Sequence, residues 1–150
     1  MPAHRLAVVL TLCLALPTAT FAEPVDATDP RTKVELPAPM RAKLLAHMRE
    51  HLAAIETISR QLAAGDYGAA ADTAEAQLGV SAIAAHGGPQ RAKFMPEGWR
   101  ANGFAMHSAA SRFAIAVREA EVNDDLGAAF AGLADVMQQC VACHTAYRLH

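Results

Sequence analysis

The chain has 150 residues, enough for one domain with a hydrophobic core but too few for two. Its formal net charge of −2 excludes the strongly basic surface of a nucleic-acid-binding protein, and no basic stretch is present for an anionic membrane. Aromatic residues make up only 5% of the sequence while alanine is abundant, which favours closely packed helices over a β-sheet.

Residues 1–22 have the pattern of a cleavable secretory signal peptide. Arg5 gives a short positive start, an apolar run follows over residues 6–16, and small residues suit cleavage after Ala22. We therefore expect an exported, periplasmic protein that has lost Cys13 with the signal. The apolar run is too short for a stable membrane span, and we expect no span further along the chain.

Residues 23–39, EPVDATDPRTKVELPAP, contain four prolines and scattered charge. Proline removes a backbone donor and breaks regular structure, so this segment is predicted to be an extended lead-in. The folded domain is then expected to cover residues 40–150.

Residues 40–64 predict a long amphipathic helix, because apolar side chains recur at steps of three and four. Gly65 is suited to end this helix, and Asp66 to cap a second, alanine-rich one. Residues 84–98 hold two adjacent glycines and two prolines, which predict an irregular loop. The expected buried stripe of the first helix is Leu45, Met48, Leu52, Ile55 and Leu62.

A third helix is predicted to begin at Pro96 or Gly98 and to end near Asn123, and Asp124 is suited to cap a fourth. No segment shows a strand signal. Four helices joined mainly by short links predict an all-α fold, an antiparallel four-helix bundle. The expected buried stripe of the fourth helix is Leu126, Phe130, Leu133, Met137, Cys140, His144 and Tyr147.

Near the chain end, Cys140-Val-Ala-Cys143-His144 has the sequence of a c-type haem attachment site. Helical positions three and four apart share a face, so all three side chains can address one planar group. We expect the two thiols to form thioethers with the haem vinyl groups. His144 would then be an axial iron ligand.

Three other interpretations of this pair are less favourable, and one of them is a plain disulfide, which would close a very small loop on a buried helical stripe. A redox-active thiol pair needs a helix N-terminus to lower its pKa, whereas Cys140 and Cys143 lie near the C-terminal end of a helix. A structural zinc site lacks a fourth ligand, although His47, His51, His86, His107 or His150 could supply one. The alternative function is therefore a haem-free helical metal-binding module that uses these cysteines and several histidines.

A second motif, His47-Met-Arg-Glu-His51, matches the H-x-x-E-H pattern of some zinc peptidases. Such an enzyme also needs a third ligand and a substrate cleft, and one small bundle leaves little chain for them. We expect these two histidines to be solvated on an exposed helix face, and the protein not to be an enzyme.

The sequence DDLGAAFAGLADVMQQ followed by CVACHTAYR at the chain end resembles the fourth helix of the cytochrome c prime family, including its low-spin, methionine-ligated relatives. The similarity extends from about residue 40 to residue 148 and is most specific in the fourth helix. It implies a bundle over residues 40–150 with one covalent haem c and its iron. It also implies that Arg41, Leu45 and Arg148 lie around the haem.

The same resemblance leaves the sixth iron ligand open. Leu45 matches the position that faces the iron on the distal side, and an apolar residue there implies an open site for NO or CO. Met48 lies one turn further along and is a candidate sixth ligand. The resemblance implies electron transfer, gas binding or both, with redox proteins as partners and a homodimer as an expected assembly.

Overall fold

A computed structural model of the chain describes residues 29–86, 88–123 and 125–149. Within them the chain is mostly helical, which confirms the predicted all-α class. The signal peptide predicted for residues 1–22 and the first part of the lead-in lie outside the described residues. The helices are α1 Ala38–Ala63, α2 Tyr67–Leu78, a 3₁₀ helix Val80–Ile83, α3 Gly88–Ala92, α4 Glu97–Asn123 and α5 Leu126–Ala146.

The turn between α1 and α2 forms as its sequence predicts. Gly65 has a φ of 76°, a left-handed conformation that glycine adopts at little cost. Its N–H donates to Leu62 O at 3.1 Å, and the Asp66 N–H donates to Gln61 O at 2.9 Å. The Asp66 carboxylate then accepts from Ala69 N, which confirms it as the cap of α2.

The cap of α5 differs by one residue from the prediction. Asp124 lies outside the described residues, and Asp125 occupies the capping position, with its carboxylate accepting from Ala128 N at 3.1 Å. The predicted loop over residues 84–98 contains the short helix α3.

Of the predicted lead-in over residues 23–39, the part described from residue 29 forms a strand that was not predicted, and its last two residues belong to α1. β1, Thr32–Lys33, pairs in parallel with β2, Tyr147–Arg148. The Val34 N–H donates to Arg148 O at 2.8 Å. The lead-in is therefore held against the C-terminal end of α5, and α1 begins at Ala38 rather than at Met40.

Small side chains dominate the core. α1 packs on α2, α2 on α4, and α4 on α5. At the contact of α4 and α5, a Cβ added to Gly132 would lie 3.3 Å from the Phe113 Cα, so the two backbones are close. The buried residues of α4 recur at helical spacing along one face: Met106, Ala109, Ala110, Phe113, Ala114, Val117 and Ala120.

The predicted buried stripe of α1 is wrong in part. Leu52 is 72% exposed and Leu45 is also exposed, whereas Leu44 and His47 are buried. Leu44 and Leu45 are neighbours, so the apolar spacing fits two rotations of the helix. Close packing against the alanines of α2 selects the rotation of α1 that buries Ala54, whose side chain is smaller than that of Leu52.

The predicted stripe of α5 is also wrong in part, for the same reason. Phe130 is 56% exposed and Met137 is 47% exposed, while Ala129 and Val136 are buried. Helices approach most closely where their side chains are small, so the alanine and valine positions face α4. Of the predicted stripe, Leu133 is buried.

By length and composition α5 is long and apolar enough to cross a membrane, with a mean hydropathy of 1.3, so the expectation that no later segment spans one stays a prediction. A core helix passes the same test, and α5 contributes Leu133 and Val136 to the core. The length and hydropathy of α5 therefore do not show that it spans a membrane.

Candidate functional site

One large cavity, of about 460 Å³, lies where α1, α4 and α5 meet. Its volume is within the range of sites that hold small ligands and cofactors. Most of its lining is apolar, and it includes Trp99 and Met106 from α4. The cavity can therefore take a large, mainly apolar group.

All three residues of the C-terminal motif line this cavity. Cys140 and Cys143 are partly buried, and His144 is more exposed. Their spacing of three and four residues on α5 places them on one side of the helix, as predicted. The Cys140 thiol contacts the Val136 carbonyl oxygen at 3.6 Å, within its own helix.

Both thiols are held in the protonated form. Burial raises the pKa of Cys140, and burial together with the neighbouring Cys140 raises the pKa of Cys143 to about 11. A redox-active thiol pair needs the opposite shift, because the thiolate is the nucleophile. The electrostatics of the site therefore weigh against dithiol chemistry.

Leu45 and Met48 of α1 line the same cavity as the motif residues. These two residues are more than 90 positions from Cys140 in the sequence. A second methionine, Met106 of α4, also lines the cavity and is almost fully buried. Within the described residues, the cavity lining does not include Met40, Met95 or Met137.

The two predicted arginines lie in different places. Arg148 lines the main cavity, and its Nε lies 3.5 Å from Asp29 Oδ2. Arg41 instead lines a second cavity of about 190 Å³, beside Lys33 and Glu35 of the lead-in. The structure thus brings Arg148, but not Arg41, to the motif residues.

Two lead-in residues at this site had no signal in the sequence. Arg31 lines the cavity and donates from Nη1 to the His144 carbonyl oxygen at 3.5 Å. It also pairs with Asp29 at 2.7 Å, and this hydrogen bond lowers the pKa of Asp29 to about 2. Only folding brings this segment to the C-terminal end of α5, so spacing along the chain could not reveal it.

The expectation that His47 and His51 are solvated is wrong. His47 is only 8% exposed, and both rings meet the ring of His86, with centroids 4.7 and 4.9 Å away. The rotation of α1 that exposes Leu52 turns these histidines inward. In the part of the chain that the structure describes, no three His, Cys, Asp or Glu side chains stand ready to hold a metal ion.

No family model, curated protein or solved structure matches the chain.

Proposed function

We propose that the protein is an exported c-type cytochrome that holds one covalent haem at Cys140, Cys143 and His144. The observation that carries this proposal is that all three motif residues line one large, mainly apolar cavity. Residues from α1 and α4 form the other walls, so a planar group bound to the motif would be enclosed by three helices.

The chemistry of the donor set fits this group. Each thiol can add across one vinyl group to form a thioether, and neither needs to act as a thiolate ligand once attached. The imidazole of His144 is a suitable axial ligand for haem iron. When bound, the haem supplies reversible one-electron transfer and, where a coordination position is open, binding of CO or NO.

The arrangement of helices supports a four-helix bundle of α1, α2, α4 and α5. Each of these helices packs on the next in this order, and the links after α1 and before α5 are only three and two residues long. Short links reverse the chain direction, which is the pattern of an antiparallel bundle. α3 and the 3₁₀ helix then belong to the longer link between α2 and α4.

The residues of the chain have distinct roles in this proposal. Leu45 and Met48 would form the α1 wall of the haem site, and of the two only Met48 has an atom that could ligate iron. Arg31 and Arg148 place positive charge beside the motif, and Arg31 holds the carbonyl of His144. Trp99 and Tyr147, with ring centroids 5.3 Å apart, form an aromatic part of the cavity wall.

The expected partners are other redox proteins in the periplasm, with a homodimer as the expected assembly. Gas binding replaces or accompanies electron transfer if the distal side is open.

Haem staining after denaturing electrophoresis tests the proposal. The full chain is expressed with a haem-attachment system, and the stain is expected to remain with the polypeptide. A variant with both Cys140→Ala and Cys143→Ala should lose it, while His144→Ala should keep the stain but change the visible spectrum. An unstained wild-type band would overturn the proposal in favour of the haem-free metal-binding alternative.

A further inference from the structure

Three histidine rings from three separate segments meet beside the large cavity. His51 comes from α1, His86 follows the 3₁₀ helix, and His107 comes from α4. Their ring centroids are 4.9 Å apart for His51 and His86, 5.4 Å for His86 and His107, and 6.0 Å for His51 and His107. The three rings thus form a closed triangle.

Hydrogen bonding leaves nitrogen atoms of these rings free. His107 Nδ1 lies 2.7 Å from the Leu78 carbonyl oxygen, and because a carbonyl only accepts, this nitrogen carries the hydrogen. Its Nε2 then has a lone pair. His51 Nε2 and His86 Nδ1 are buried without a hydrogen-bond partner among the described residues.

Such a bond to a backbone carbonyl is the usual support of a metal-binding histidine, because it fixes the tautomer and the ring direction. A buried nitrogen without a partner costs about 1–3 kcal/mol, so two of them in one cluster call for a physical reason. A metal ion bound by both nitrogens would accept their lone pairs and would supply such a reason.

The spacing of the rings suits one metal ion. A zinc ion binds imidazole nitrogen at about 2.0–2.1 Å in tetrahedral geometry, which sets the ring centroids roughly 5 Å apart. The three observed distances lie near this value. Among the described residues the histidine nitrogens are not placed as a complete metal site. Binding therefore requires the rings to turn about their side-chain torsions.

The surroundings keep the rings neutral, which is the form that binds metals. Burial is the main cause that lowers the pKa of His51 and of His86, each to about 4, and it also lowers the pKa of His107. Protons therefore compete weakly for these nitrogens at neutral pH.

The ring of His47 also contacts the ring of His86, but one of its nitrogens already accepts a hydrogen bond. Its Nδ1 lies 3.2 Å from Arg91 Nη1, and a guanidinium only donates, so Nδ1 accepts this bond. The hydrogen of neutral His47 is then on Nε2, which removes that lone pair. Burial is the larger cause that lowers the pKa of His51, of His86 and of His107, but Arg91 also lowers the pKa of each ring, so a bound cation must overcome this positive charge.

We propose that His51, His86 and His107 form a binding site for a divalent transition-metal ion such as Zn²⁺. Imidazole ligands suit Zn²⁺, Cu²⁺ and Ni²⁺, and three of them leave a coordination position for water or another ligand. The site uses none of the haem-attachment residues. His51 also lines the large cavity, so the proposed ion would lie beside it.

Calorimetric titration with Zn²⁺ at pH 7.5 tests the site in the chain as isolated from expression with a haem-attachment system, after a chelator has removed loosely bound metal ions. We expect one ion per chain. His86→Gln and His107→Gln should each weaken binding at least about tenfold, the order of loss seen when a metal site is disturbed. His47→Gln is the matched control and should leave the affinity nearly unchanged.

X-ray absorption at the zinc edge of the wild-type complex keeps the test independent of how the variants fold. It should give imidazole scattering with nitrogen at about 2.0–2.1 Å. Sulfur at about 2.3 Å would put the ion at the cysteines and overturn the site. An equal loss in His47→Gln, or no binding at all, would overturn it as well.

The visible spectrum separates this site from the proposed haem. His107 is not among the residues that line the large cavity, so His107→Gln should leave the spectrum of the loaded protein unchanged before Zn²⁺ is added. A changed spectrum would assign His107 to the iron and overturn the three-histidine site while leaving the haem proposal intact.

Discussion

The hydroxyl of Tyr147 lies directly against Gly98, in the position that a side chain at residue 98 would occupy. The Tyr147 ring also contacts Trp99, with centroids 5.3 Å apart, and both rings line the large cavity. Gly98 therefore lets the start of α4 approach the chain end closely enough for the aromatic wall to form.

Replacing Gly98 with Ala should displace the Tyr147 hydroxyl and disturb this wall. The hydroxyl is the far end of a side chain that can move, so we expect α4 to persist and stability to fall by about 1 kcal/mol. Urea unfolding measures the change. Gly68→Ala is the control, because its new methyl meets nothing within 4 Å, and it should stabilise α2 by about 0.5–1 kcal/mol. An equal gain in stability in both variants would contradict the close contact between Tyr147 and residue 98.

Replacing Ser111 with Ala should lower the stability of the fold by an amount that depends on pH. The Ser111 hydroxyl donates to Glu75 Oε2 at 2.6 Å and accepts from Val80 N at 3.0 Å. The first bond is the main cause that lowers the pKa of Glu75. A lowered carboxyl pKa stabilises the fold at neutral pH, and this contribution is lost as the pH falls through the folded-state value.

We therefore expect Ser111→Ala to raise the pKa of Glu75 and to cost about 1 kcal/mol at pH 7, with a smaller cost at pH 3. Carboxyl NMR titration and urea unfolding at both pH values check this. Ser59→Ala is the control, because Ser59 donates only to the Ile55 carbonyl of its own helix. A cost that is the same at both pH values would show that the carboxylate form of Glu75 is not what Ser111 stabilises.

Local signals were enough to predict where α1 ends and α2 begins. Gly65 and Asp66 act through their own conformation and through hydrogen bonds to residues a few positions away, so the sequence carries all the information. The rotation of α1 about its own axis cannot be predicted from local signals in this way. Leu44 and Leu45 allow two apolar faces, and the choice depends on the alanines of α2, which a pattern within α1 does not contain.

The same distinction applies to the site. The spacing of Cys140, Cys143 and His144 predicts a common direction because one helix carries all three. Asp29, Arg31 and the histidine cluster depend on contacts between distant segments. The four-residue interval from His47 to His51 was the one local sign of that cluster, and it did not indicate that His86 and His107 would join it.

The thiols of the haem-free chain should react slowly with iodoacetamide at neutral pH. The pKa of Cys143 is raised to about 11, mainly by burial, so the reactive thiolate is scarce and the rate should still be rising at pH 9 to 10. The reaction rate against pH checks this, with the urea-unfolded chain as the reference. Cys140→Ser should lower the pKa of Cys143 somewhat, because the neighbouring thiol contributes to the shift. A midpoint near pH 7 would instead indicate a redox-active pair.

The distal side of the proposed haem can be tested with CO. Leu45 has no ligating atom, and it lines the cavity one turn from Met48, so we expect the sixth position to be open. CO should then shift the visible spectrum of the reduced protein, and Met48→Leu should bind CO in the same way. Met106→Leu, another methionine of the cavity wall, is the matched control. If the wild-type spectrum is indifferent to CO and only Met48→Leu responds, Met48 is the sixth ligand. The iron would then be closed to gases, and the protein would be an electron carrier, because a methionine ligand raises the reduction potential.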